Sequence, residues 1–316
     1  MSIKINGRDL SKRMINGREV IKVMKNGVQV RPSAVPPVFD NYLCFTANTS
    51  GSTVKLIAGH GTPDPVQLEI SRDKNTWTSY TIGDTITLTN VWDKVYFRNT
   101  SSITTGFSKS NWYYNFVMSG SIAGSGNVTT LIRNEGSDYT VWACCFIYLF
   151  VNCTALTSAP ELPSHILTQE CYYEMFMGCT SLVTAPELPA TNLQPDCYGG
   201  MFRRCSSLTT APSLPATTLA SFCYERMFGE CTSLTTIPSL PATSLSNYCY
   251  KSMFEWCTNI KISTTQDSTY INEYRIPTLW TGTVGTNSLT DMFKNTWWDV
   301  TTPSINTTYY TSNTIV

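Results

Sequence analysis

CYYEMFMGCTSLVTAPELPATNL, residues 171–193, decides how this chain is read, because it returns almost unchanged at residues 197–219 and 223–245. The interval is 26 residues. Met175-Phe176 recurs as Met201-Phe202, Met227-Phe228 and Met253-Phe254, and Cys171 and Cys179 each start a column of cysteines with the same step. The step reaches back to Cys145, Leu149-Phe150 and Cys153. A strict period of this length predicts a solenoid, whose repeats bury their apolar sides only against neighbouring repeats. Such an array presents surface, which favours binding over catalysis.

Four copies cover residues 145–170, 171–196, 197–222 and 223–248, and a fifth begins at Cys249 and decays after Cys257. Leu289-Thr290-Asp291-Met292-Phe293 reads as one more copy, displaced by an insertion of 13 residues, with Trp297 and Trp298 suited to an atypical terminal cap. Within each repeat, Cys171, Met175 and Cys179 stand at i, i+4 and i+8, the spacing of one face of a short helix. Ser181–Thr184 reads as a short extended run, and Pro186 and Pro189 forbid a helix after it.

Upstream of the repeats, residues 38–137 carry short alternating runs bounded by turn residues. Strands are predicted at Tyr42–Ala47, Val54–Ile57, Val66–Ile70, Trp77–Ile82, Thr85–Leu88, Lys94–Arg98 and Tyr114–Met118. Asp73-Lys74-Asn75 and Gly83-Asp84 supply tight turns. Seven short strands in about a hundred residues predict a β-sandwich of immunoglobulin-like type. Residues 32–37 form a Pro-rich, semi-rigid connector. Asn6-Gly7, Asn16-Gly17 and Asn26-Gly27, ten residues apart and flanked by alternating residues, predict a β-meander over residues 1–31. That arm cannot hold a core alone, so it must lie on the rest of the chain, on copies of itself or on a partner, and a homo-oligomer is expected. The expected fold is therefore mainly β: a meander at 1–31, a sandwich at 38–137, and a short-helix/strand solenoid with a C-terminal cap at 138–316.

Only 14% of the 316 residues are charged, well below the typical quarter, and formal net charge is zero. The charge is segregated. Residues 1–31 hold eight basic and two acidic side chains, so the remainder carries −6. Arg8, Arg13, Arg18 and Lys22 are the candidate anchoring residues for an acidic protein lattice. Their alternation lacks aromatic interleaving, so nucleic acid is not the expected partner. MSIKINGRDL has no apolar leader region, and no apolar run reaches the length of a membrane helix, so membrane insertion is not expected.

Ten of the twelve cysteines lie on the repeat columns. Their C-x₇-C spacing does not fit a zinc site, so no metal is expected. They read as small buried side chains; pairing between adjacent repeats stays geometrically open. Glu161 and Glu187 share a column, but Ser213 and Ser239 follow them, which weakens a glycosidase reading. His60 and His165 stand near no nucleophile signature, and no Lys-Ser/Thr follows Gly124-Ser125-Gly126. No catalytic residue and no cofactor is expected. The candidate ligand-binding residues are the aromatic column Tyr172, Tyr198 and Tyr224, and Arg203 and Arg226 at positions that vary between repeats.

Met227-Phe228, Cys231-Thr232-Ser233-Leu234 and Leu240-Pro241-Ala242-Thr243 resemble the marks of the BspA-like leucine-rich repeat, the 26-residue repeat of surface proteins in gut Bacteroides and their relatives. TWTSYTIG around Ser79-Tyr80 and KVYFRN from Lys94 to Asn99 look like the module that precedes such repeats. The resemblance covers about residues 42–300 and implies surface display and adhesion without catalysis. The N-terminus departs from it: INGREV and KNGVQV are similar to the virion-attachment end of structural proteins of Bacteroides phages. The expected role is a non-enzymatic bacteriophage surface protein, a head fibre, capsid decoration or tail-fibre component. It would be made in the host cytoplasm and sit on the virion. Residues 1–31 would bind capsid or other virion proteins, and the solenoid would bind a host surface protein or glycan. A bacterial cell-surface adhesin is the alternative, and a glycan hydrolase the remote one.

Overall fold

The computed structural model describes residues 41–100, 107–109, 111–132, 143–262 and 284–298, together with the backbone of four strands between residues 3 and 29. The chain is mainly β, built from open sheets. It divides into two compact units, residues 1–40 and residues 41–316.

In the first unit, β1 (Ile3–Ile5), β2 (Arg8–Ile15), β3 (Arg18–Lys25) and β4 (Val28–Gln29) form an antiparallel sheet in sequence order. The pairings Ile5↔Arg8, Ile15↔Arg18 and Lys25↔Val28 each leave a two-residue connection, the length that suits Asn-Gly. The Asn-Gly pairs themselves and the Pro-rich connector at 32–37 lie outside the described residues.

The second unit opens with two sheets. One runs β14 (Leu156–Ser158), β13 (Ile122–Ser125), β5 (Leu43–Ala47), β10 (Lys94–Asn99), β7 (Leu68–Ser71) and β8 (Trp77–Tyr80). The other runs β11 (Ser108–Lys109), β12 (Trp112–Ser119), β6 (Ser52–His60) and β9 (Ile86–Leu88). Alternation decides which face is inside: Val54 and Leu56 are buried while Thr53, Lys55 and Ile57 between and after them are partly exposed. Phe45 and Phe97 from the first sheet meet Phe116 from the second at 4.9 and 5.4 Å, edge to face. Each of the seven strand-like runs in the sequence overlaps one of these strands.

The described residues 143–262 and 284–298 stack copy on copy as successive coils, and here the local structure differs from expectation. The segment around CYYEMFMGC is not helical. Its backbone N–H groups alternate between two kinds of partner. Those of Cys171, Tyr173, Met175 and Met177 reach back three residues, to Thr168, Glu170, Tyr172 and Glu174. Those of Tyr172, Glu174, Phe176 and Gly178 reach the next coil, at Cys197, Gly199, Met201 and Arg203. Every fourth residue, Glu170, Glu174 and Gly178, takes a positive φ of 55, 47 and 76°. A left-handed residue every four positions folds the chain into successive four-residue turns and prevents an α-helix, whose N–H groups would all bond within the segment. Two residues of each four point inward and two outward.

The inward columns are stacked rings. Phe150, Phe176, Phe202, Phe228, Phe254 and Phe293 lie parallel with neighbouring centroids 5.2–5.7 Å apart. The 13-residue insertion leaves this column unbroken: Phe254 donates to Met292 and stacks on Phe293. The same column begins inside the β region, where Phe116 stacks on Phe150 at 5.3 Å. Phe116 N–H donates to Leu149, Ile122 N–H donates to Ala155, and β14 of the first coil joins β13 in parallel. The β region thus forms the first layer of the stack, and one apolar core runs from Leu43 to Phe293.

The cysteine columns are buried with the rings. Of the twelve cysteines, all but Cys144 are buried. The thiols of Cys153, Cys179, Cys205, Cys231 and Cys257 donate to the carbonyls of Phe116, Phe150, Phe176, Phe202 and Phe228, at 2.9–3.2 Å. Each thus adds a second donor to a carbonyl in the preceding layer. Burial pushes these thiols up, Cys257 to about 12, so they stay protonated and poor nucleophiles.

Candidate functional site

Tyr172, Tyr198 and Tyr224 are 0–1% exposed. Their rings stack at 5.9–6.0 Å as a second inward column, continued by Tyr250. A side chain without accessible surface cannot meet an external ligand, so these three tyrosines are packing residues and leave the candidate site. Burial pushes their hydroxyls well above the ordinary tyrosine range. The accessible tyrosines are one position or more away. Tyr113 on β12, Tyr148 and Tyr173 form a half-buried surface ladder with centroids 4.9 and 6.0 Å apart. Burial and then the Glu174 carboxylate raise both Tyr148, to about 12, and Tyr173.

The side chains that point outward from the turns form four columns. Two of them carry the expected arginines. Arg203 aligns with Met177, Gly229 and Glu255; Arg226 aligns with Glu174, Gly200 and Ser252. Arg226 is exposed and Arg203 partly so. A third outward column, Gly178, Arg204, Glu230 and Trp256, is one that the sequence reading did not single out, although it varies as much. Every member of the Arg226 column and of this third column has positive φ, including Arg226 at 53°, Glu230 at 65° and Trp256 at 63°. Their N–H groups donate to the next coil at 2.7–2.9 Å, which holds the unusual backbone in place.

Around coils four and five these columns build a charged aromatic surface. Glu230 accepts from Arg203 at 3.0 Å and from Arg204 at 3.0 Å, so one carboxylate clamps two guanidinium groups. Burial acts against the Glu230 charge, but the hydrogen bonds from Arg204 and Arg203 outweigh it and hold the carboxyl below its ordinary value. Lys251 pairs with Glu225 at 3.0 Å, and Lys294 lies 3.3 Å from Asp291 and 3.8 Å from Glu255. Trp256 is 51% exposed, far more than an indole retains in a core. On one side of it lies a cleft of about 230 Å³ with Arg203, Arg226, Gly229, Glu230 and Glu255. On the other lies a wider hollow of about 580 Å³, lined by Arg204 and by the hydroxyl residues Thr180, Ser206, Thr232 and Thr258. Those four hydroxyl residues are again one column, one per coil.

The candidate anchoring residues lie elsewhere. Arg8 and Arg13 are on β2, Arg18 and Lys22 on β3; their side chains lie outside the described residues. Among the described residues no group of three or more metal-ligating side chains converges. No described helix is long and apolar enough to cross a membrane. No protein-family model matches the chain, and neither a curated protein nor a solved structure is significantly similar to it.

Proposed function

We propose that this chain is a non-enzymatic surface protein of a bacteriophage particle, a head fibre, capsid decoration or tail-fibre component, that displays a repeat stack for attachment to a host surface. In this reading the stack is a solenoid of BspA-like leucine-rich repeats, and residues 38–137 are the sandwich module on which it is built. The basic sheet within residues 1–31 docks to capsid or other virion proteins. The single observation that carries the reading is the division of columns within each coil. In the four copies from Cys171 to Cys257 the inward positions keep Cys, Tyr, Met and Phe, while outward positions change among Glu, Gly, Arg, Ser and Trp. A scaffold that holds its interior and varies one accessible edge suits recognition. The N-terminal sheet as a separate compact unit, with its excess of positive charge, supports the anchoring role.

Deleting residues 1–31 tests the arrangement. The truncated chain is expected to fold, with an unchanged melting transition of the repeat stack, and to be absent from purified particles. Normal incorporation of the truncated chain would overturn the anchoring role. Secretion to a bacterial outer surface, seen by labelling intact cells, would favour the cell-surface adhesin.

A further inference from the structure

Trp256 stands between two hollows of different chemistry, and the difference defines a ligand. The hydroxyl side offers Thr180, Ser206, Thr232 and Thr258, one per coil, on coils whose phenylalanine rings stand 5.5–5.7 Å apart. That step is close to the length of one sugar ring in an extended glycan, so successive rings would meet equivalent hydroxyl groups. The exposed indole supplies a flat apolar face with a polar edge, the surface on which the C–H face of a pyranose rests.

The charged side adds a requirement. Arg203 and Arg204 are both occupied by Glu230. Glu255 has Lys294 near it. Arg226 is exposed, shares the cleft with Trp256, and has no carboxylate within ion-pair distance among the described residues. Glu174, in its own column, is near enough to feel the field of Arg203 and Arg226, but makes no described ion pair with either. A guanidinium left open beside a sugar-sized platform calls for a carboxylate, which its planar fork can hold through two hydrogen bonds.

We infer that the Trp256 edge binds an acidic glycan, its sugar ring on Trp256, its carboxylate on Arg226, and its hydroxyls along the Thr180–Thr258 column. This deepens the attachment role proposed above and rests on it only for its biological use; the binding site stands on its own geometry. A uronic acid and a sialic acid carry the same recognised groups.

Isothermal titration of the full chain with oligogalacturonate and with sialyllactose tests the inference, each against its neutral counterpart, methyl-esterified oligogalacturonate and lactose. At least one acidic glycan is expected to bind about tenfold or more tightly than its neutral form, the usual effect of a charge-assisted hydrogen bond. Arg226→Gln should lower the acidic affinity to the neutral level. Trp256→Ala should remove both, while Trp92→Ala, an exposed indole on the β region, should change neither. Equal binding of acidic and neutral forms, no binding of either acid, or indifference to Arg226→Gln overturns the inference. Host-cell attachment by particles carrying the same variants separates the two proposals. Attachment lost without glycan binding keeps the recognition edge but points to a protein partner. Glycan binding with unchanged attachment keeps the site and removes the attachment role.

Discussion

Phe228 and Arg226 are two residues apart, yet they belong to different regulating demands on the same turn. Phe228 is 0% exposed and stacks between Phe202 and Phe254, in a column that begins in the β region and ends at Phe293. Arg226 is exposed, has φ of 53°, and sits in a column where Glu, Gly and Ser also occur. The inward columns form the packed core. The columns of Arg226 and Trp256 have their backbone fixed by bonds to the next coil, whichever side chain stands there. Hydrogen bonding between coils holds the left-handed backbone of these two columns regardless of the residue placed there.

The sharpest way to break this contrast is at the ring column. Phe228→Ala leaves a hole between two parallel rings in a continuous core, and should cost about 3–5 kcal/mol in urea unfolding. A loss below about 1 kcal/mol would mean that the column can collapse around the hole and is not a tightly packed spine.

A smaller effect is expected at the thiols. Cys231→Ala removes a donor to the Phe202 carbonyl, 3.0 Å away and buried. That carbonyl keeps its bond from the Cys205 N–H, so losing the thiol donor should cost about 0.5–1.5 kcal/mol. In the intact chain the column thiols should resist alkylation until denaturant is added, as mass spectrometry would show. Rapid labelling of Cys231 in the folded protein would place it outside the core.

A smaller one still comes from the outward acids. Burial, then Glu170 and Glu225, raise Asp196 to about 6. Because the folded value lies above the unfolded one, its protonated form favours folding, and this contribution is lost as pH rises through about 6. Asp196→Asn keeps a residue that tolerates the positive φ of 54°. Relative to the native chain it should gain stability as pH rises from about 4 to about 6, by less than about 1 kcal/mol because Asp196 is only half-buried. A difference that stays flat with pH would contradict the crowding of these carboxylates.

Much of the fold is legible in the residues. The strands of residues 42–119 follow from alternation, and the 26-residue step gives the stacking of Met-Phe on Met-Phe. The turns are not legible in the same way. Cys171, Met175 and Cys179 are four apart, and four is near enough to 3.6 that a helix and a series of four-residue turns bury the same positions. What separates them is the residue type at the left-handed positions, where Asn152, Gly178, Gly200 and Asn295 accept positive φ readily. The continuity of the core into the β region has no repeat signature, because Phe116 comes from a strand outside the 26-residue pattern. For the site, variability picked out Arg203 and Arg226, whereas Tyr172, Tyr198 and Tyr224 are as constant as Met-Phe, and that constancy marks the inside. Trp256 was reachable by the same criterion, since its column holds Gly, Arg and Glu in the other coils.

The central claim, that one edge recognises while the interior holds the fold, is tested most directly by a double variant, Arg226→Gln with Trp256→Ala. Its unfolding midpoint and its attachment to host cells would be measured together on incorporated particles and on the purified chain. The account predicts stability within about 0.5 kcal/mol of the native chain, as for exposed positions, and attachment reduced about tenfold or more. Unchanged attachment, or a stability loss comparable to that of Phe228→Ala, would contradict it.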